Sequence, residues 1–150
     1  MSVYGYEEIV ASAVDNEIEA FDFYSSAAGK VADVTLKAIF KDLAEEELKH
    51  REFLQNLLSE PQKMSFDPGH DYNIAQAVDD PKLSIWMKPS EAIALAIKKE
   101  EDAMVKYSRL ATVSSDGPQK DMFEALSRME QGHKVKLETL YNDMAFAEAW

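Results

Sequence analysis

The chain has 150 residues, the length of one domain, and a domain of this size buries about 70% of the surface its unfolded chain would expose. Its 28 Asp and Glu against 16 Lys and Arg give a formal net charge of -12, which repels phosphate backbones and anionic lipid and argues against nucleic-acid and membrane partners. There is no cysteine, which excludes disulfides, thiolate zinc sites, iron–sulfur clusters and cysteine nucleophiles, so any metal must be held by oxygen and nitrogen.

Residues 1–8 show neither a basic start nor an apolar run before a cleavage site, and no segment approaches the roughly 20 apolar residues that cross a bilayer, so a cytoplasmic address is expected. From about Tyr4 to Ala28, Val10, Val14, Phe21, Tyr24 and Ala28 recur at helical spacing once Glu17 is counted among them. Gly29 is a plausible stop and Asp33 a plausible N-cap for a second helix carrying Leu36, Phe40, Leu43, Leu54 and Leu57, with Glu47 and His50 as the polar members of its stripe.

Between residues 61 and 89 the pattern dissolves into a stretch with Pro61, Pro68, Pro81, Pro89, a Pro68-Gly69 turn signal and Trp86, read as a long connection with room for a short helical piece. A third helix begins near Ser90 and carries Ile93, Ile97, Met104, Tyr107 and Ala111, with Glu100 in the seam. The run Ser114-Ser115-Asp116-Gly117-Pro118 turns the chain into a fourth helix with Phe123, Leu126, Leu137, Leu140 and Met144, whose seam holds Glu130 and His133.

Residues 10–58 align without a gap on residues 93–141, at the offset of 83 that carries His50 onto His133. The pairs Glu17/Glu100, Ala20/Ala103, Tyr24/Tyr107, Asp33/Asp116, Phe40/Phe123, Leu43/Leu126, Glu47/Glu130, His50/His133 and Leu54/Leu137 are identical. One helical hairpin, about residues 4–60, is therefore repeated at about 90–148, with the connection 61–89 between. A helix of about 25 residues is roughly 40 Å long, so the connection can run back along the hairpins and let four helices share one axis. The expected fold is an all-α four-helix bundle in one domain, two antiparallel helical hairpins joined by a long crossover connection. The six polar seam residues lie near the middles of their helices and meet at one level whichever way each helix runs.

In Glu-x-x-His the two side chains share a helix face, so Glu47 with His50, and Glu130 with His133, each present an oxygen and a nitrogen to one point. One such motif arises often on a charged helix. Two at equivalent places, each preceded by a helix with a lone seam Glu, do not. Four clustered buried carboxylates without compensation cost several kcal/mol per charge, and two divalent cations supply the four positive charges that offset them. A Glu from each of two helices plus Glu-x-x-His from each of the other two is the set by which bundles hold di-iron and di-manganese centres. By match to that set, Glu47 and Glu130 are assigned as bridges, Glu17 and His50 as terminal ligands of one ion, and Glu100 and His133 of the other. Mixed carboxylate and imidazole donors suit iron or manganese, and zinc can occupy such a site.

The motifs Glu17-x-x-Ala20-x-x-Phe23-Tyr24, Glu46-Glu47-x-x-His50, Glu100-x-x-Ala103-x-x-x-Tyr107 and Glu130-x-x-His133 resemble the rubrerythrin branch of the ferritin-like superfamily, over both hairpins. The resemblance implies a non-haem di-iron centre that reacts with peroxide or dioxygen. Rubrerythrins usually append a rubredoxin domain whose four cysteines pass electrons to the site. With no cysteine, this chain would take electrons from a separate donor protein. They also tend to carry an extra Glu one turn past the third-helix ligand, where Ala103 stands here.

Tyr24 and Tyr107, seven residues beyond the seam glutamates, are placed either to donate a hydrogen bond to a ligand carboxylate, or to act as oxidisable groups beside the site, or to fill core space. His70 reads as a surface loop residue, and Met104, Met122 and Met144 as core rather than haem ligands. The leading expectation is an oxidoreductase that reduces peroxide or dioxygen. A ferritin-like ferroxidase and a bundle whose structural metal supports a binding surface are the alternatives. A fourth helix read almost to Trp150 leaves no room for the short fifth helix of ferritin shells, so a homodimer is expected rather than a cage.

Overall fold

A computed structural model of the protein describes residues 3–66, 83 and 88–144. Most of the 61–89 connection, including His70, Pro68-Gly69 and Trp86, lies outside the described residues, as do residues 145–150. Four helices, α1 (Val3–Lys30), α2 (Val34–Ser59), α3 (Pro89–Val113) and α4 (Pro118–Met144), form the all-α, ferritin-like bundle expected. Among the described residues no helix is long and apolar enough to cross a membrane.

The turns inside the hairpins follow from local chemistry. Asp33 is extended and its carboxylate accepts a hydrogen bond from the Leu36 N–H at 2.9 Å, satisfying one of the orphan donors of the first turn of α2. α1 continues through Gly29 to Lys30, one residue past the expected stop. Between α3 and α4 the backbone of Gly117 has φ 142°, a conformation open to glycine at no side-chain cost, and Pro118 then starts α4 with its φ already helical.

α1 packs on α2 and α3 on α4, and the core divides into two apolar halves. One gathers Tyr24, Ala27, Val31, Leu36, Phe40, Ile93, Ala96 and Leu137. The other gathers Tyr6, Val10, Leu54, Leu110, Val113, Phe123 and Leu126. The second half holds the start of α1, the end of α2, the end of α3 and the start of α4, so α2 and α3 run parallel, with the end of α2 and the start of α3 at opposite ends of the bundle. The connection between them begins with a 3-10 turn at Pro61–Lys63 and is tied to the α3–α4 turn: Phe66 bridges Ser114, the Ser115 N–H donates to the Ser65 carbonyl at 2.9 Å, and the Phe66 ring stacks on Tyr6 at 4.0 Å.

The repeat is visible in three dimensions, since Tyr24 stacks on Phe40 at 6.3 Å and the equivalent Tyr107 on Phe123 at 6.2 Å. The methionine reading needs correction. Met122 is 41% exposed, because Phe123 takes the inward position of that turn, and Met104 is only half-buried. The side chain of Met144 lies outside the described residues.

Candidate metal centre

Between the two apolar halves lies one polar layer. Glu17 comes from α1, Glu47 and His50 from α2, Glu100 from α3, and Glu130 and His133 from α4, each 1–4% exposed. The structure brings all six sequence-predicted residues together. His50 Nδ1 lies 2.9 Å from Glu130 Oε1, 3.6 Å from Glu47 Oε1 and 3.7 Å from Glu17 Oε2. His133 Nδ1 lies 3.1 Å from Glu47 Oε1 and 3.5 Å from both Glu100 Oε2 and Glu130 Oε1. The imidazoles face each other nearly parallel, with centroids 6.0 Å apart.

Donor atoms of Glu17, Glu47, His50 and Glu130 all fall within 4.8 Å of one another, and so do those of Glu47, Glu100, Glu130 and His133. Metal–ligand bonds of about 2.1 Å put opposite donors roughly 4.2 Å apart, so each group has the dimensions of one coordination shell. The two groups share Glu47 and Glu130 and differ in the Glu–His pair that completes them.

Their orientation is as informative as their spacing. Glu17 Oε2, Glu47 Oε1, Glu100 Oε2, Glu130 Oε1, His50 Nδ1 and His133 Nδ1 are buried and make no hydrogen bond among the described residues, although several lie within hydrogen-bond distance of a neighbour. An unsatisfied buried polar atom costs about 1–3 kcal/mol, more when charged, and six in one layer are offset either by protons or by shared cations. The donor set therefore fits a pair of cations.

In the metal-free chain the layer is electrostatically frustrated. Burial, then the charges of Glu100 and Glu130, raises the Glu47 carboxyl well above the usual range, and burial with Glu100 does the same to Glu130. For Glu100 burial acts in the same direction but is outweighed by polar contacts with Glu130, His133 and Tyr24, which hold it low. Burial disfavours a charged His133, yet contact with Glu100 and Glu47 and their negative charge outweighs it and pushes the ring up to about 11.

The rubrerythrin family model matches residues 8–141, a span that takes in all six residues and both hairpins. The chain belongs to the rubrerythrin family. A hypothetical protein from Pyrococcus furiosus has the same fold, with a TM-score of 0.76 and 29% identity over 100% of this chain and 94% of the other. No curated protein matches the chain.

Two tyrosines of this rubrerythrin-family chain hold the outer glutamates, each across the hairpin boundary. Tyr24 on α1 donates to Glu100 Oε1 on α3 at 2.8 Å, and Tyr107 on α3 donates to Glu17 Oε1 on α1 at 2.5 Å. Of the three roles open to them in the sequence, the donor role is realised, and each bond leaves the glutamate's Oε2 turned inward. Burial, followed by the neighbouring Glu100 charge for Tyr24 and Glu17 for Tyr107, raises both phenols well above their ordinary value, so they remain donors. Replacing Tyr107 by Phe leaves Glu17 Oε1 buried and unpartnered, and is expected to destabilise the metal-free protein by about 1.5–3 kcal/mol in urea unfolding. A loss below about 0.5 kcal/mol would show that the bond does not form.

One residue that the sequence motifs include received no role there. Glu46, a third exposed, reaches from α2 to contact His133 Nε2 on α4. On a helix rich in charge it looks like a solvated neighbour of Glu47, and its only signal is that the repeat does not reproduce it, placing Met129 at the equivalent position. Ala103, where the family tends to carry an extra Glu, packs against the apolar half that contains Tyr107 and supplies no donor.

Proposed function

We propose that the chain is a non-haem di-iron oxidoreductase of rubrerythrin type, which reduces hydrogen peroxide or dioxygen with electrons delivered by a separate protein. What carries this reading is the pair of buried, overlapping four-residue groups that share Glu47 and Glu130. Glu47 and Glu130 would bridge the two ions, with Glu17 and His50 completing one shell and Glu100 and His133 the other. Held by these six residues, a pair of irons would supply the two electrons that, with two protons, carry hydrogen peroxide to two waters. Tyr24 and Tyr107 fix the terminal glutamates so that one oxygen of each stays turned to the cations. Their raised phenols keep the proton on Oη in the resting state. The apolar halves above and below the layer exclude bulk water and confine the reaction to a small oxidant.

Loading the metal-free chain with Fe(II) without oxygen, then adding limiting peroxide or air in parallel, tests the proposal. Two irons per chain and an oxo-bridged ferric absorption that grows faster with peroxide support a peroxidase-type reaction. Faster growth with air supports the ferroxidase alternative. Fewer than two irons, or no oxidation, sinks the redox reading and leaves a structural-metal bundle.

A further inference from the structure

The repeat relates the inner donors one to one: Glu17 to Glu100, Glu47 to Glu130, His50 to His133, and Tyr24 to Tyr107. The correspondence fails one atom further out. His133 Nε2 contacts the Glu46 carboxylate. His50 Nε2 is buried and makes no hydrogen bond among the described residues, and Met129 stands where the repeat would place a second Glu46.

The difference acts directly on ligand quality. Once an entering cation has displaced the proton on Nδ1, the imidazole keeps one proton, and a carboxylate at Nε2 holds it there, so Nδ1 stays with the cation. The same contact fixes the ring plane and raises the basicity of Nδ1. Nothing among the described residues biases His50 in this way, so it must bind through Nδ1 while leaving a buried N–H without an acceptor. Lys99, next to Glu100, brings no opposing net charge to the His133 half, because it is ion-paired to Glu19 at 2.9 Å.

We propose that Glu46 is a positioning residue that makes the two metal positions unequal, so that the position of Glu100 and His133 takes a divalent cation first and more tightly than that of Glu17 and His50. The exchangeable ion, the one that enters last and leaves first, is then the one beside His50. The proposal rests on the dinuclear reading and adds to it an order of filling.

Stepwise titration of the metal-free full chain with Co(II), followed by its visible absorption, tests the order. Wild type is expected to fill in two resolved steps. Glu46→Ala should weaken the first step about 10- to 100-fold and leave the second nearly unchanged. Glu46→Gln, which keeps an acceptor oxygen without the charge, should fall between them and guards against any folding defect of the alanine variant. In a parallel titration with Zn(II), nitrogen-15 imidazole resonances of His133 should move with the first equivalent and those of His50 with the second, which a merely structural Glu46 would not dictate. Two bound ions with His50 responding first, or both rings together, or an unmoved first step in both variants, would overturn the proposal and spare the dinuclear reading. One ion or none per wild-type chain would overturn both.

Discussion

Glu130→Ala and Glu47→Ala are each expected to leave fewer than one tightly bound metal ion per chain after dialysis, whereas Glu17→Ala keeps about one. The reason is topological. Glu47 and Glu130 belong to both four-residue groups, so removing either takes a donor and a negative charge from both shells, while Glu17 belongs to one. Outer partners of a ligand typically change affinity 10- to 100-fold, and a shared inner donor is worth at least that at each position. Above the raised Glu130 value, where its carboxyl ionises, removing it also relieves repulsion among buried like charges, so at alkaline pH Glu130→Ala without metal should melt no lower than wild type without metal despite the small cavity it leaves. Metal analysis by mass spectrometry and a melting curve read the two effects separately. Equal retention of two ions in all three variants would refute the bridging assignment.

The centre was legible because its residues have the wrong polarity for their positions. A Glu or His in a stripe otherwise made of Val14, Leu43, Leu54 and Leu137 is conspicuous, and the repeat turned six such oddities into one constellation. Asp33 and the Gly117 turn were readable for a local reason, since a cap needs a side-chain acceptor and a positive-φ turn favours a residue without a side chain. The tyrosines were readable as to place, but not as to which of three roles they fill, because their bonds cross between hairpins and periodicity carries no information about that register. For the same reason the tie of Ser65 and Phe66 to the α3–α4 turn left no sign in the sequence. Met122 shows the limit of stripe reading at a helix start, where one inward aromatic neighbour suffices to turn a hydrophobic residue outward.

Stripping both metal ions is expected to lower the melting temperature by about 16–32 °C near neutral pH, and the gap should widen as pH rises. A ligand at about 1,000 times its dissociation constant adds about 4 kcal/mol per site, and a chain of this size loses or gains about 2–4 °C per kcal/mol. The pH dependence follows from the metal-free layer. Glu47 and Glu130 have folded values raised above the unfolded carboxyl value of about 4.3, so the stability they contribute is complete below that value and is lost as pH rises through their folded values. His133, raised to about 11, behaves alike: its contribution is complete below about 6.5 and is lost as pH rises towards 11. Glu100, held low, runs the other way and limits the gain only at the acid end. The metal-free chain should therefore melt higher at about pH 5.5 than at about pH 8.5. Cations prefer the deprotonated donors, so the loaded chain shows the opposite or no trend over that range. Differential scanning calorimetry of both forms at the two pH values measures the gap. A metal-free melting temperature that rises with pH would mean that the four carboxylates do not share one buried layer.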